Sequence, residues 1–175
     1  MIHVCPLSRL DQTLASSGAS HLVTLLRADT PFERPASVAH DRHLALLMHD
    51  IAAEQPDMVA PSEHHVGQLL TFAARWDRAH AMLIHCYAGI SRSTAAAYIV
   101  AAASEPDRNE TELAQTLRRL SPSATPNPRL IMIADSMLGR DGRMIAAVAA
   151  MGRGADAFEG TPFCLPLKAY KRGLA

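Results

Sequence analysis

Short apolar runs alternate with longer amphipathic segments along most of the chain. The runs contain four to six residues with little alternation of polar and apolar positions, which is typical of parallel strands buried on both faces. In the longer segments, apolar residues recur every three or four positions, the period of an amphipathic helix. We predict strands at residues 2–5, 21–26, 44–48 and 81–84, and helices at residues 7–17, 63–76, 93–103, 110–120, 128–138 and 142–152.

The predicted helix boundaries depend on residues that cap helix ends. Asn109 followed by Glu112 has the spacing of a capping box, in which a side chain accepts from a free N–H group of the first turn. Asn127 stands directly before Pro128, and proline is favoured at the first helical position. The other predicted capping residues are Ser62, Asp141 and, at the end of the first helix, Gly18.

Strands that alternate with helices predict an α/β fold. We expect a mostly parallel central sheet of about four to five strands, flanked by helices, with a helical C-terminal half. A length of 175 residues suffices for one domain and hardly for two. Residues 1–152 are assigned to that single domain, and the Gly- and Pro-containing segment 153–175 is left without a placement.

Composition excludes several classes of protein. Hydrophobic residues make up 49% and charged residues 19% of the chain, which rules out a disordered chain. There are 17 basic and 17 acidic residues, so the formal net charge is zero and we expect no nucleic-acid partner. The longest apolar run, residues 95–103, is too short to span a membrane. Three cysteines and no signal-like start favour a reducing, cytoplasmic location without a membrane partner.

The segment 81–97, AMLIHCYAGISRSTAAA, carries the candidate chemistry. Histidine and cysteine end a predicted strand, five residues follow, and arginine and serine begin a predicted helix. Such a loop can present consecutive N–H groups to an anion, and the helix N-terminus adds partial positive charge. Gly89 permits a positive φ and close approach of a ligand, while Arg92 can hold two phosphate oxygens at once.

In this setting Cys86 is the candidate nucleophile. An electropositive surrounding favours the thiolate, which can attack a phosphorus atom held in the loop and form a cysteinyl-phosphate. Ser93 is placed to donate a hydrogen bond to the departing sulfur, and His85 to orient the loop without acting as acid or base. The predicted phosphate-binding residues are Tyr87, Ala88, Gly89, Ile90, Ser91 and Arg92, of which Tyr87 and Ile90 also form the walls.

The nine residues HCYAGISRS resemble the signature loop of the cysteine-dependent protein tyrosine phosphatases. The SRS ending is similar to the dual-specificity branch and its small bacterial relatives. The resemblance extends over residues 22–138 in the order of strands and helices, and only the loop is strongly specific. It implies a single α/β domain, a phosphocysteine intermediate, and neither metal nor cofactor. It also implies a site at the carboxyl edge of the sheet, the usual place for ligands in open α/β folds.

A phenolate or alkoxide leaving group benefits from a proton donor. Asp50 closes the third predicted strand, so it would emerge at the same edge of a parallel sheet as Cys86. In the resembling family the acid likewise ends a strand or begins the next loop upstream of the cysteine. Asp57 is the rival acid, in a loop of the same segment. Asp77 sits at a predicted helix end and Asp41 at the wrong edge of the sheet.

Histidines and one asparagine add further candidates. His49, His64 and His65 are placed to line the mouth of the pocket, but their spacing with His40 and His43 matches no metal-ligand pattern, so no metal site is predicted. The TPNP segment 125–128 resembles the Pro-Asn segment that braces the loop in dual-specificity enzymes. A simple helix cap explains Asn127 equally well.

The leading hypothesis is a phosphoprotein phosphatase that hydrolyses phosphotyrosine, and the sequence leaves open whether phosphoserine and phosphothreonine are also substrates. The alternatives are a phosphate-binding module without turnover and a phosphatase for a non-protein phosphomonoester. An uncharged Tyr87–Ser91 loop argues against polyanionic substrates. The sequence leaves open the physiological substrate, the oligomeric state, and whether Cys5 or Cys164 serves as a redox partner of Cys86.

Overall fold

A computed structural model describes residues 1–168. The strands are β1 (Ile2–Pro6), β2 (His21–Leu26), β3 (His43–Leu47), β4 (Met82–Cys86) and β5 (Phe163–Leu165). The helices are α1 (Leu10–Ser17), α2 (Glu63–Arg75), α3 (Arg92–Ser104), α4 (Glu110–Leu120), α5 (Pro128–Met137) and α6 (Arg143–Met151). Short 3-10 helices precede α1 at Leu7–Arg9 and β3 at His40–Arg42. Every predicted strand and helix is present, and all predicted ends lie within two residues of the observed ones except the start of α1, which begins three residues late because Leu7–Arg9 forms a 3-10 helix.

The five strands form one sheet in the order β3-β2-β4-β1-β5. β1, β2, β3 and β4 are parallel, and β5 pairs antiparallel with β1 at the edge. The predicted α/β class with a mostly parallel sheet is therefore confirmed. β4 is the central strand, and Cys86 is level with Pro6 of β1 and Leu25 of β2. The carboxyl end of β4 therefore lies in the middle of the carboxyl edge of the sheet.

The two faces of the sheet are covered unequally. α1 and the segment that follows β2 cover one face, where Cys5, Leu14 and Leu83 are buried. The larger core on the other face contains Ile84 and Cys86 of β4 and is covered by the remaining helices. α3 lies at its centre: its residues from Arg92 to Ala102 are all buried, which explains why its sequence shows no polar face.

Two predicted helix caps and one helix end are confirmed. The Asn109 side chain accepts a hydrogen bond from the N–H of Glu112 at 3.0 Å. The Asn127 side chain accepts from the N–H groups of Arg129 and Leu130 at 3.0 and 3.1 Å. Gly18 ends α1 with a left-handed φ of 59°. These three residues therefore predicted the positions of three helix ends correctly.

The predicted capping role of Asp141 is wrong. Gly142 occupies the N-cap of α6, and Asp141 instead adopts a positive φ of 50° in the turn before it. The first turn of α6 is capped by Asp135 of α5, whose two carboxylate oxygens accept from the N–H groups of Gly142 at 2.7 Å and Met144 at 2.8 Å. A carboxylate from the neighbouring helix α5 thus caps α6, so Asp141 is not required for this role.

Much of the segment left unplaced by the sequence has a definite position. Residues 153–162 run along the carboxyl edge of the sheet, and Phe163–Leu165 then joins the sheet beside β1. Residues 169–175, the end of that segment, lie outside the described residues. Across the described part of the chain, no helix combines the length and apolar character needed to cross a membrane.

Candidate active site

Cys86 ends the central strand β4, and α3 begins six residues later at Arg92. The Cys86 side chain is only 2% exposed, yet its sulfur has two polar neighbours. The N–H of Gly89 donates to Sγ at 3.2 Å, and the Ser93 hydroxyl lies 3.1 Å from it. Ser93 itself is fully buried on the first turn of α3. The structure therefore places this sulfur beside polar groups at the start of a helix.

The connection Tyr87–Ser91, called the 87–91 loop below, is held by its outward-facing carbonyl groups. Four of them accept N–H donors from other segments: Tyr87 from Leu7 at 3.1 Å, Ala88 from Gly160 at 2.8 Å, Ile90 from Thr125 at 3.0 Å and Ser91 from Asn127 at 3.3 Å. In a planar trans peptide the C=O and the next N–H point in opposite directions. The N–H groups that follow these carbonyls therefore face the interior of the loop.

Gly89 allows the loop to turn tightly against the end of β1. Its φ is +69°, a region that other residues rarely adopt. A Cβ atom at this position would lie 2.6 Å from the backbone nitrogen of Pro6 and 2.9 Å from the carbonyl carbon of Cys5. Both the positive φ and the close approach exclude a side chain. The predicted need for glycine in the loop therefore has a geometric reason.

Arg92 is a buried cation with unused hydrogen-bonding capacity. It is 6% exposed, and one terminal nitrogen donates to the carbonyl of Met48 at 2.8 Å. Its Nε has no hydrogen-bond partner among residues 1–168 and lies 3.9 Å from Oδ2 of Asp50. A buried guanidinium left with a free donor is costly unless an anion completes its contacts. This arrangement suits a phosphate bound at the loop.

Asp50 lies just beyond β3, at the same edge of the sheet. Its Oδ1 accepts hydrogen bonds from the Ser91 hydroxyl at 2.7 Å and from the Asn127 amide at 2.8 Å. Asn127 therefore connects the start of α5 with this carboxylate while capping that helix. The carboxylate is held beside the loop, with Oδ2 turned toward Arg92.

The three other aspartates considered as the acid occupy different surroundings. Asp57 is exposed, with a φ of +60°, in a turn of the connection between β3 and α2. That connection is closed at its base by paired hydrogen bonds between His49 and Val59. Asp77 accepts from the N–H of Ala79 in the turn after α2. Asp41 precedes β3 at the opposite edge of the sheet.

His85 points to the opposite face of the sheet from Cys86. Its Nε2 lies 2.8 Å from the Thr24 hydroxyl, which in turn lies 3.0 Å from Nε2 of His43, and its ring packs against Phe32. Burial, reinforced by the charge on His43, lowers the pKa of His85 to about 4. The imidazole is therefore neutral near pH 7 and is remote from the reacting face.

A cleft of about 370 Å³ adjoins the loop on the side of α5. Asp50, Ile90, Ser91 and Asn127 line it, together with residues 153–157. Tyr87 is 60% exposed on the loop surface. The histidines predicted at the pocket mouth are not part of this lining, and His65 instead accepts from the N–H of Ser62 at the start of α2.

Across residues 1–168 no group of three or more His, Cys, Asp or Glu side chains is arranged to hold an ion. His43, one of the histidines considered, is instead engaged with Thr24.

Sequence reasoning missed the groups that hold the loop from outside. Leu7, Thr125 and Gly160 each donate a backbone N–H to a loop carbonyl. Backbone donors carry no residue-type signal, and Gly160 is far from the loop along the chain. The hydrogen bond from Ser91 to Asp50 was also missed, although both residues were candidates.

No protein-family model and no curated protein sequence matches the chain. Several solved structures are nevertheless similar to this chain in their fold. The crystal structure of DUSP15 aligns over 86% of this chain and 89% of its own, with a TM-score of 0.59 and 17% identity. A Cydia pomonella PTP-2 phosphatase gives a TM-score of 0.60 at 18% identity over 77% of this chain and 84% of its own. Human DUSP28 gives 0.55 at 18% identity over 79% and 88%.

The chain therefore has the fold of the dual-specificity and PTP-family phosphatases. This confirms the fold that the HCYAGISRS resemblance implied. At such low identities the similarity concerns the fold alone, so activity has to be argued from the residues of the site.

Proposed function

We propose that the protein is a phosphoric monoester hydrolase that works through a cysteinyl-phosphate on Cys86. The observation that carries the proposal is the pairing of a sulfur with a buried, partly unpaired arginine at one strand-to-helix loop. Sγ of Cys86 accepts from Gly89 and adjoins Ser93, while Nε of Arg92, at the same helix start, has no hydrogen-bond partner among the described residues. A thiol, anion-binding amides and a guanidinium together suit phosphoryl transfer through a cysteinyl-phosphate.

In the first step the inward N–H groups of the 87–91 loop and Arg92 bind the phosphate oxygens. The Cys86 thiolate attacks phosphorus, the S–P bond forms, and the bond from phosphorus to the leaving oxygen breaks. The leaving oxygen takes a proton from Asp50. Because Oδ1 of Asp50 already accepts two hydrogen bonds, the transferable proton belongs on Oδ2, the oxygen nearer Arg92.

In the second step a water molecule attacks the phosphorus of the cysteinyl-phosphate. Its proton passes to the Asp50 carboxylate, the S–P bond breaks, and inorganic phosphate leaves. Ser93 lies 3.1 Å from the sulfur and can donate its hydroxyl proton in a hydrogen bond to the departing thiolate. Each residue thereby returns to its starting protonation state.

Asp50 is proposed as the acid in preference to Asp57. Asp50 accepts a hydrogen bond from Ser91 of the loop and faces Arg92, whereas Asp57 occupies an exposed turn. In this proposal Asn127 is a positioning residue, since its amide donates to Asp50 while its oxygen caps α5.

The proposed substrates are phosphorylated proteins or peptides, with phosphotyrosine first and phosphoserine or phosphothreonine as further candidates. The 87–91 loop contains no charged side chain and the formal net charge is zero, which disfavours polyanionic ligands. Tyr87, the first residue of the loop, is exposed and suits contact with a peptide or a phenyl ring.

Steady-state release of phosphate from para-nitrophenyl phosphate tests the proposal. The wild-type chain should turn over repeatedly, and Cys86→Ser should bind a phosphotyrosine peptide without hydrolysing it. A wild-type protein that binds the peptide but releases no phosphate would establish the phosphate-binding module instead. Equal hydrolysis by both proteins would refute Cys86 as the nucleophile.

A further inference from the structure

The segment 153–165, called the C-terminal strap below, passes directly over the outside of the 87–91 loop. It is first held at the connection between α4 and α5, where Gly154 donates to the Thr125 hydroxyl at 3.1 Å and Ala155 to the carbonyl of Pro122 at 2.9 Å. It ends as β5, paired with β1. Between these anchors, Gly160 donates its N–H to the carbonyl of Ala88 at 2.8 Å.

The strap can approach this closely only because residue 160 has no side chain. A Cβ atom on Gly160 would lie 2.8 Å from the carbonyl oxygen of Gly89 and 3.3 Å from its carbonyl carbon. A contact below 3.0 Å with backbone atoms forces one of the two segments to move. Gly160 is also buried, so the strap is packed closely against the loop at this residue.

The hydrogen bond from Gly160 acts on the peptide group that faces the reactive sulfur. Its acceptor is the carbonyl of Ala88, and the N–H of that same peptide group belongs to Gly89. This N–H donates to Sγ of Cys86 at 3.2 Å. Because the peptide group is planar, holding its oxygen outward fixes the direction of its N–H inward.

A second contact joins the strap to the adjacent part of the site. Glu159 accepts a hydrogen bond from the Ser8 hydroxyl at 2.6 Å. Ser8 follows Leu7, whose N–H holds the neighbouring carbonyl, that of Tyr87. Two consecutive loop carbonyls are thus held by a turn and a strap that are themselves connected.

We propose that Gly160 is a positioning residue of the active site, which orients the 88–89 peptide group toward the Cys86 sulfur and the bound phosphate. The C-terminal strap is then part of the active-site structure. The proposal rests on the proposed phosphatase function, but its consequences for the sulfur and for anion binding exist without turnover.

The test compares Gly160→Ala with Gly67→Ala in the whole 175-residue chain. Gly67 lies within α2, and an added Cβ there meets only the flexible end of Met137 at 3.6 Å, so this control tolerates the methyl group. Two readouts do not require catalysis: the affinity for inorganic phosphate by calorimetry, and the pH dependence of Cys86 alkylation by iodoacetamide, followed by peptide mass spectrometry.

Gly160→Ala should bind phosphate about tenfold more weakly, as expected for the loss of one well-aligned donor to an anion. Its Cys86 alkylation should begin at higher pH than in the wild type, because the sulfur loses a hydrogen bond that stabilises the thiolate. Gly67→Ala should match the wild type in both measurements. A Gly160→Ala protein that also matches the wild type in both would overturn the proposal.

Glu159→Ala provides a second variant should Gly160→Ala fail to fold, because it removes only the exposed tether to Ser8. We expect phosphate binding weaker by about twofold to threefold, as for the loss of one exposed hydrogen bond. Unchanged phosphate affinity in this variant would then count against the strap. Failure of the phosphatase proposal has a different signature, since the wild type would bind phosphate and react at Cys86 without any turnover.

Discussion

Cys5 and Cys86 lie on the neighbouring strands β1 and β4, near the same edge of the sheet, and are 1% and 2% exposed. Their surroundings differ. Cys5 is level with His85 and shares its face of the sheet, where it packs with Leu10 and Leu14. Burial in this apolar cluster raises the pKa of the Cys5 thiol to about 12. Cys86 faces the other side, with the Gly89 N–H and the Ser93 hydroxyl at its sulfur.

The comparison teaches that the depth of burial does not decide what a cysteine can do. Two sulfurs of almost equal exposure differ in their setting: Cys5 has the Thr13 side chain as a polar neighbour within an apolar cluster, whereas a backbone N–H, a hydroxyl and a helix start meet at Cys86. The opposite orientation of the two side chains also argues against a direct Cys5–Cys86 disulfide as a redox device, since their Cβ atoms project from opposite faces of the sheet. The variants below are ordered by the size of the effect we expect.

Replacing each of the two cysteines in turn gives the largest expected difference in kcat. Cys86→Ser should lower kcat for para-nitrophenyl phosphate by at least about a thousandfold, because the nucleophile is removed. Cys5→Ala should retain kcat and show only a lower melting temperature, from the loss of a buried side chain. Steady-state kinetics with thermal unfolding separates these effects. Loss of activity in a folded Cys5→Ala protein would contradict the distinction between the two cysteines.

Arg92 and Arg140 form a second matched pair, since both are buried and both donate to backbone carbonyls. Arg92→Lys should reduce kcat/KM by about a hundredfold, because an ammonium group cannot reproduce the forked contact with phosphate. Arg140 lies in the turn before α6 and donates to the Ala102 carbonyl of α3 and to Glu110 of α4. Arg140→Lys should therefore lower the melting temperature and leave kcat/KM unchanged. Equal kinetic effects of the two changes would remove the special role of Arg92.

The choice of acid is tested with leaving groups of different basicity. Asp50→Asn should slow hydrolysis of phenyl phosphate by roughly tenfold to a hundredfold, and slow a substrate with an activated leaving group much less. The alkaline limb of its kcat profile should disappear with the poor leaving group. Asp57→Asn should behave like the wild type. The reverse pattern in the two variants would assign the acid to Asp57.

The smallest effect on turnover is expected from the Cys5 face of the sheet, where a substitution alters the free energy of unfolding instead. His85 has a pKa of about 4 in the folded protein, below its ordinary value of 6.5. Between these values the unfolded chain binds more protons, so the free energy of unfolding falls as pH decreases. We expect a loss of roughly 3 kcal/mol from this residue by pH 4, from the size of its shift. Urea unfolding should show a weaker pH dependence in His85→Asn, and an equal dependence would contradict this.

The sequence predicted the fold best where local chemistry and tertiary structure agree. The apolar run His21–Leu26 is a strand at its predicted bounds, and Asn127 before Pro128 begins α5 as predicted. The context of the HCYAGISRS loop was also predictable, because a buried strand precedes it and a helix follows. Asp141 failed as a cap because Asp135, on another helix, already supplies both acceptors.

The remaining features depend on contacts between distant parts of the chain. The three-residue strand Phe163–Leu165 has too few positions to show a period and forms only because β1 has a free edge. The contact of Gly160 with the loop is made by backbone atoms alone. Single-sequence patterns carry no record of such pairings. They also give no sign that Ser91 and Asn127 share one oxygen of Asp50.

Trapping of the covalent intermediate tests the central proposal most directly. During turnover of a phosphotyrosine peptide, the reaction is stopped under denaturing alkaline conditions and the peptides are analysed by mass spectrometry. We predict a phosphoryl group on Cys86, absent from Cys5 and absent from the Cys86→Ser protein. Continued phosphate release with no label on Cys86, or a label on another residue, would contradict the mechanism.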